Sequence, residues 1–207
     1  MRRWLLKLSI ALAIGVAATP AHAVSDREAF LAPEWGVELE LPGGWSWSAQ
    51  ATYPGVLVAA VHRTQVGARM TLAVEKARGT ETGREVVEKA RTTLLAAGFL
   101  GGRILPHPSG ALVLDVTTPD RKTSVRQATY LFHGNTYVLT LAAPLASVRQ
   151  LARGFDAALR RMVDGIRRHP TTSAALAPTT QPGDLRPLAG QSPTSLPATS
   201  MPAKATP

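Results

Sequence analysis

The densest array of chemically capable side chains lies between residues 149 and 168, where Arg149, Arg153, Arg160, Arg161, Arg167 and Arg168 recur. A guanidinium group is permanently charged and presents a planar fork of donors, so such an array can grip carboxylate or phosphate groups in bidentate fashion. Only Asp156 and Asp164 interrupt it, and six cations against two acids leave a local excess of four positive charges. The same composition also suits a solvated helix face that keeps a protein soluble.

The histidines point to less. His62, His107 and His133 are isolated in sequence, with no H-x-x-x-H pair and no carboxylate at ligand spacing beside them. A metal centre needs three or four converging ligands, and a serine nucleophile of the α/β-hydrolase kind needs a G-x-S-x-G turn; the chain has neither pattern. Asp115 and Asp120 have no partner carboxylate nearby in sequence. No catalytic, cofactor-binding or metal-binding residue is therefore assigned, and no cofactor is expected. A hydrolase or metal-dependent enzyme would require the fold to gather two of the three histidines with a carboxylate.

Trp35, Trp45, Trp47 and Tyr53 are the remaining residues of note, since aromatic side chains anchor many interfaces. Trp45 and Trp47 stand two apart in a strand-like stretch, which puts both on one face and favours the core. Trp35, between Pro33 and Gly36, reads as a loop residue open to solvent. The candidate partner-binding residues are thus Trp35, Arg149, Arg153, Arg160 and Arg167.

Positioning these side chains requires regular elements. Val148, Leu151, Phe155, Leu159, Met162 and Ile166 are spaced by three and four, which predicts a helix from about Ser147 to Arg168 with the arginines opposite its apolar stripe. Gly154 inside it costs about 1 kcal/mol of propensity, which packing of the stripe should outweigh. An earlier helix is predicted from Thr82 to Ala97. Thr82-Gly83-Arg84-Glu85 fits a capping box, and Gly98 suits a left-handed stop with Phe99 folding back. Elsewhere the apolar residues alternate with period two. Strands are expected at Val37–Leu41, around Trp45–Trp47, at Val56–Val61, Met70–Val74, Arg103–Leu105, Leu112–Val116, Thr123–Phe132 and Thr136–Ala142. Turns fall at Pro42-Gly43-Gly44, Tyr53-Pro54-Gly55 and His133-Gly134-Asn135. The order predicts an α+β domain, one antiparallel sheet flanked by two helices that hide its apolar sides.

The ends of the chain read differently. Arg2, Arg3 and Lys7 precede an apolar run from Leu8 to Ala18, followed by Pro20 and Ala21-His22-Ala23. This is the pattern of a secretory signal peptide cleaved after Ala23, and the run is short of the roughly 20 apolar residues that span a bilayer. The expected location is the periplasm or beyond. Removing the leader takes the formal charge from +9 to about +6, which permits anionic partners without pointing to nucleic acid. There is no cysteine, hence no disulfide and no lipid-bearing thiol. Residues 171–207 hold seven prolines and no aromatic residue, and are expected to form a disordered tail after a domain spanning 24–170.

The element order, the strand leading into Leu41-Pro42-Gly43-Gly44-Trp45, the single central helix, the late hairpin running through Asn135-Thr136-Tyr137-Val138-Leu139-Thr140 and the terminal helix together resemble the PsbP-like superfamily, which includes DcrB-type bacterial envelope proteins. The missing lipid-anchor cysteine separates the chain from lipoprotein relatives. The resemblance implies an α/β/α sandwich and a non-catalytic role in binding a protein partner or assisting assembly, with no active-site residues carried over. The expectation is an exported monomeric binding or accessory protein for an unknown protein or anionic envelope component. The alternatives are an enzyme built on the histidines and an anionic-membrane binder working through the helix arginines.

Overall fold

Both predicted helices form, and their ends follow the residues that signalled them. In the computed structural model, which describes residues 29–48, 55–77 and 79–169, helix α1 spans Gly83–Ala96 and helix α2 spans Val148–Arg168. The Thr82 Oγ1 accepts from the Glu85 N–H at 3.3 Å while the Glu85 carboxylate accepts from the Thr82 N–H at 2.7 Å. The Thr82 N–H, and after it the Thr82 hydroxyl donating to the same carboxylate at 3.0 Å, hold the Glu85 carboxyl below its usual range. At the other end Gly98 takes φ 87°, letting the Phe99 N–H reach back to the Leu94 carbonyl. The expected leader, the tail and residues Tyr53 and Pro54 lie outside the described residues.

Nine strands accompany the helices among the described residues. They are β1 (Ala29–Ala32), β2 (Val37–Glu40), β3 (Trp45–Ser48), β4 (Val56–His62), β5 (Arg69–Lys76), β6 (Leu100–Pro106), β7 (Leu112–Thr117), β8 (Thr123–Phe132) and β9 (Asn135–Pro144). Strands β3 to β9 form one antiparallel sheet in the order β3-β4-β5-β9-β8-β7-β6. The α+β antiparallel sheet expected from period-two alternation is therefore present. β6 begins at Leu100, earlier than the sequence suggests. Gly101 and Gly102, at φ 92° and 89°, shift the register there and let the strand start before its alternation becomes visible.

The sheet buries both faces. Met70, Leu72, Leu139 and Leu141, with Trp45 and Trp47, face α2, whose Leu151, Phe155, Leu159, Met162 and Ile166 complete the larger core. On the opposite face α1 packs on β6, β7 and β8, enclosing a smaller core of Val87, Leu94, Phe99, Leu114, Val116 and Val125. Trp45 and Trp47 are both buried, as their shared face required.

One element departs from the single-sheet expectation. β1 and β2 pair only with each other and form a separate antiparallel ribbon, closed by a short 3₁₀ turn at Pro33–Trp35. The ribbon lies along the flank of α2. Two glycines of the helix permit this approach. A Cβ on Gly154 would meet the Pro42 ring at 3.2 Å, and one on Gly165 would meet the Glu38 Cβ at 3.4 Å. The Gly154 that weakens the helix pattern in the sequence is thus where the chain entering β3 crosses it.

Candidate functional site

The arginines of α2 separate into groups with different surroundings. At 100° per residue, Arg149, Arg153, Arg160 and Arg167 fall within an arc of roughly 40°. Arg161 and Arg168 fall on the other flank, beside Gly154 and Gly165. There they pair with the β2 ribbon, Arg161 with Glu40 and Arg168 with Glu38 at 3.8 Å. These exposed pairs contribute little to stability, but they neutralise two of the six cations.

Arg167 is engaged as well. Its Nη2 donates to the Ser109 carbonyl at 2.7 Å, its Nε donates to the Tyr130 hydroxyl at 3.0 Å, and its guanidinium lies 5.6 Å from the centre of the Tyr130 ring. It ties the end of α2 to the β6–β7 turn and to β8. Arg149, Arg153 and Arg160 remain exposed, and among the described residues no carboxylate pairs with them.

Trp35 does not join this group. It is half-buried against the large core, and its carbonyl accepts from the Tyr137 hydroxyl at 2.9 Å. It closes the β1–β2 ribbon, which lies along α2 on the flank of Arg161 and Arg168. The loop exposure expected of Trp35 is reduced because the 3₁₀ turn folds it inward, with Gly36 in the left-handed region at φ 62° closing the turn.

Beside the free arginines lies a charged network that no sequence motif announced. Arg126 on β8 reaches Asp115 on β7 at 3.5 Å and Asp156 on α2 at 3.4 Å, and its guanidinium lies 5.8 Å from the Phe155 ring centre. The Nε2 of His107, whose side chain is 7% exposed, lies 3.9 Å from the same Asp156 oxygen. His107 Nδ1 accepts from the Ser109 N–H at 3.2 Å and lies 2.8 Å from the Ser109 hydroxyl. With Nδ1 accepting, the neutral ring carries its proton on Nε2, facing Asp156. Burial raises the Asp115 carboxyl above its usual range, against the pull of Arg126. Burial also lowers the His107 imidazole from its ordinary value of 6.5; Asp156 opposes that shift while Arg160 and Arg126 reinforce it.

This arrangement brings a serine, a histidine and an aspartate together, yet Ser109 is buried inside the hairpin turn. Its hydroxyl serves the turn through His107 and the Ala111 N–H, and its carbonyl is capped by Arg167. His62 lies elsewhere, at the end of β4, with its Nδ1 accepting from the Gln65 N–H at 3.1 Å and its ring edge-on to Trp45. His133 occupies the β8–β9 turn at φ 47°. The three histidines thus stand apart, at the end of β4 and in the β6–β7 and β8–β9 turns, and among the described residues no three metal-capable side chains converge.

The buried His107 has a measurable consequence. Because its folded pKa lies below the ordinary 6.5, the unfolded chain binds more protons once the pH falls below that value. The contribution is complete above about pH 6.5 and is lost as the pH falls through the folded value. Asp115, shifted upward from 3.8, acts at lower pH and in the opposite sense: its cost at neutral pH fades on acidification. Denaturant unfolding between about pH 7.5 and 5 should show the wild type losing stability more steeply than His107→Gln. Parallel curves would contradict the burial of this ring.

No family model matches the chain and no curated protein matches it. Solved structures resemble it. The cyanobacterial PsbP protein CyanoP of Synechocystis sp. is 12% identical, and the match covers 70% of this chain and 96% of that one at a TM-score of 0.49. LpqN of Mycobacterium tuberculosis, described as involved in cell envelope biogenesis, is 18% identical over 67% of this chain and 87% of its own, at 0.42. The Ran-binding protein Mog1p of Saccharomyces cerevisiae is 9% identical over 65% and 88%, at 0.44. The PsbP-like resemblance read from the sequence is met again among these likenesses, and no residue's role is taken from them. No helix among the described residues is long and apolar enough to cross a membrane.

Proposed function

We propose that this chain is exported to the bacterial periplasm, with its leader cleaved after Ala23. Residues 24–170 act there as a non-catalytic binding or accessory domain for an acidic protein partner, and 171–207 form a trailing tail. Arg149, Arg153 and Arg160 make the contact, while Arg167 and Trp35 hold the elements that present them. The reading rests on one observation: these three exposed arginines lack carboxylate partners among the described residues, whereas Arg161 and Arg168 on the same helix are paired. The helix that carries them is locked by its apolar stripe. Partner carboxylates therefore meet cations whose backbone is already ordered, which favours both encounter rate and affinity.

The test is cross-linking in the osmotic-shock fraction of expressing cells, comparing the wild type with Arg149→Glu/Arg153→Glu/Arg160→Glu. The wild type should be recovered there starting at Val24, joined to a defined partner. The triple variant should keep its thermal midpoint, since all three side chains are exposed, and lose that partner by tenfold or more. Equal recovery of the partner by the variant, or a chain retained in the cytoplasm with its leader, refutes the proposal.

A further inference from the structure

Of the six large hydrophobic residues exposed among the described residues, Val61, Val66 and Leu145 lie at the sheet end where β4 meets β5 and β9 runs into α2; Leu95 and Leu100 lie by β6 at the far edge of the sheet, and Leu31 on the ribbon. Val66 in the β4–β5 loop is 91% exposed, and Leu145 in the β9–α2 loop is 47% exposed. Their loops touch. The Ser147 hydroxyl donates to Gln65 at 2.8 Å, the Leu145 N–H donates to the Lys122 carbonyl at 2.9 Å, and Gly67 abuts Pro144.

The rim of this tip is basic. Arg121 and Lys122 form the exposed β7–β8 turn and Arg149 is the second residue of α2, while Arg63, three residues before Val66, donates through its Nε to the Ser46 hydroxyl. The single acid of the turn, Asp120, is exposed and engaged within the turn itself. Its carboxylate accepts from the Thr118 hydroxyl at 2.6 Å and the Lys122 N–H at 3.1 Å, bonds that hold it below the usual carboxylate range.

We infer that this loop tip docks on an anionic lipid bilayer, with Val66 and Leu145 entering the interface and Arg121 and Lys122 lying among the phosphates. The shape and composition favour that occupant over a peptide. The apolar residues stand on turns, they are aliphatic, and the exposed charges around them, Arg121, Lys122 and Arg149 against Asp120, are mostly basic. Aliphatic tips gain by leaving water for the acyl boundary, while cations beside them gain from the negative surface potential. The inference shares Arg149 with the partner reading, but it stands on Val66, Leu145, Arg121 and Lys122, and the variants that test it leave Arg149, Arg153 and Arg160 unchanged.

Sedimentation of the chain as its host delivers it, with vesicles of phosphatidylglycerol and phosphatidylcholine or of phosphatidylcholine alone, tests the inference. The wild type should pellet with the anionic vesicles, and less so as salt rises. Val66→Asp/Leu145→Asp should weaken binding about tenfold or more, and Arg121→Glu/Lys122→Glu about twentyfold or more. Lys76→Glu/Arg84→Glu makes the same charge change on exposed residues away from this tip and should cost less than about threefold. Because every variant carries the same leader or lacks it, differences report on the tip. Should the double aspartate variant lose its thermal midpoint, Val66→Ser serves in its place. Absence of wild-type binding, equal loss in the Lys76/Arg84 variant, an unaltered Val66/Leu145 variant, or displacement by inorganic phosphate at matched ionic strength would each overturn it.

Discussion

Phe155→Ala is expected to lower the unfolding free energy by about 3–5 kcal/mol, the range for deleting a buried aromatic ring. Phe155 is fully buried at the middle of the stripe that α2 presents to the sheet. Its neighbours along the stripe, Leu151, Leu159 and Met162, are held by the same helix and cannot close over the void without moving α2. The ring also lies under the Arg126 guanidinium, so its removal withdraws an apolar floor from the Asp115–Arg126–Asp156 network. Phe155→Leu should cost less than half as much, because most of the volume is kept. Denaturant melts with an unchanged slope would report this as a stability change. A loss below about 1 kcal/mol for the alanine variant would mean that α2 does not cover the sheet in solution.

A contrast at one position makes the second large prediction. Gly165→Leu should destabilise by about 2–3 kcal/mol, while Gly165→Ala should be neutral or mildly stabilising. Alanine gains about 1 kcal/mol of helix propensity over glycine. Its methyl would stand 3.4 Å from the Glu38 Cβ and 3.5 Å from the Glu38 carbonyl, close to ordinary contact. Leucine has no such room and must push the β1–β2 ribbon off the helix, breaking the Arg168–Glu38 approach in the process. Equal tolerance of both substitutions, read as thermal midpoints, would show that the ribbon does not rest on α2 at Glu38.

Both helices were legible because each carries two independent signals. α1 has a capping box and a glycine stop around its apolar positions, and α2 has a six-residue stripe at a spacing only a helix satisfies. The central strands were legible for a similar reason: Met70, Leu72 and Val74 alternate because one side of the sheet lies under α2. β1 was not. Ala29-Phe30-Leu31-Ala32 shows no alternation, and it becomes a strand only by pairing with β2 in register from Ala29 opposite Glu40 to Ala32 opposite Val37. β6 was read short because the backbone freedom of Gly101 and Gly102, not a side-chain pattern, begins it.

The candidate site shows the same division more sharply. Sequence periodicity placed all six arginines away from the apolar stripe of α2, and that is where they lie. Periodicity assigns a residue to an arc of one helix but says nothing about which strand borders that arc. Glu38 and Glu40 are more than a hundred residues from the arginines they meet, as Ser109 and Tyr130 are distant from Arg167. The basic tip around Val66 and Leu145 draws on three separate turns.

Local spacing, set by the geometry of helix and strand, was enough for the class of fold, the two covering helices and the faces they bury. Which cations are neutralised, which stay open to a partner and which apolar residues share an exposed tip depended on strand pairing across long loops. Those pairings follow from the burial of the whole core, a quantity that no short window of the chain contains.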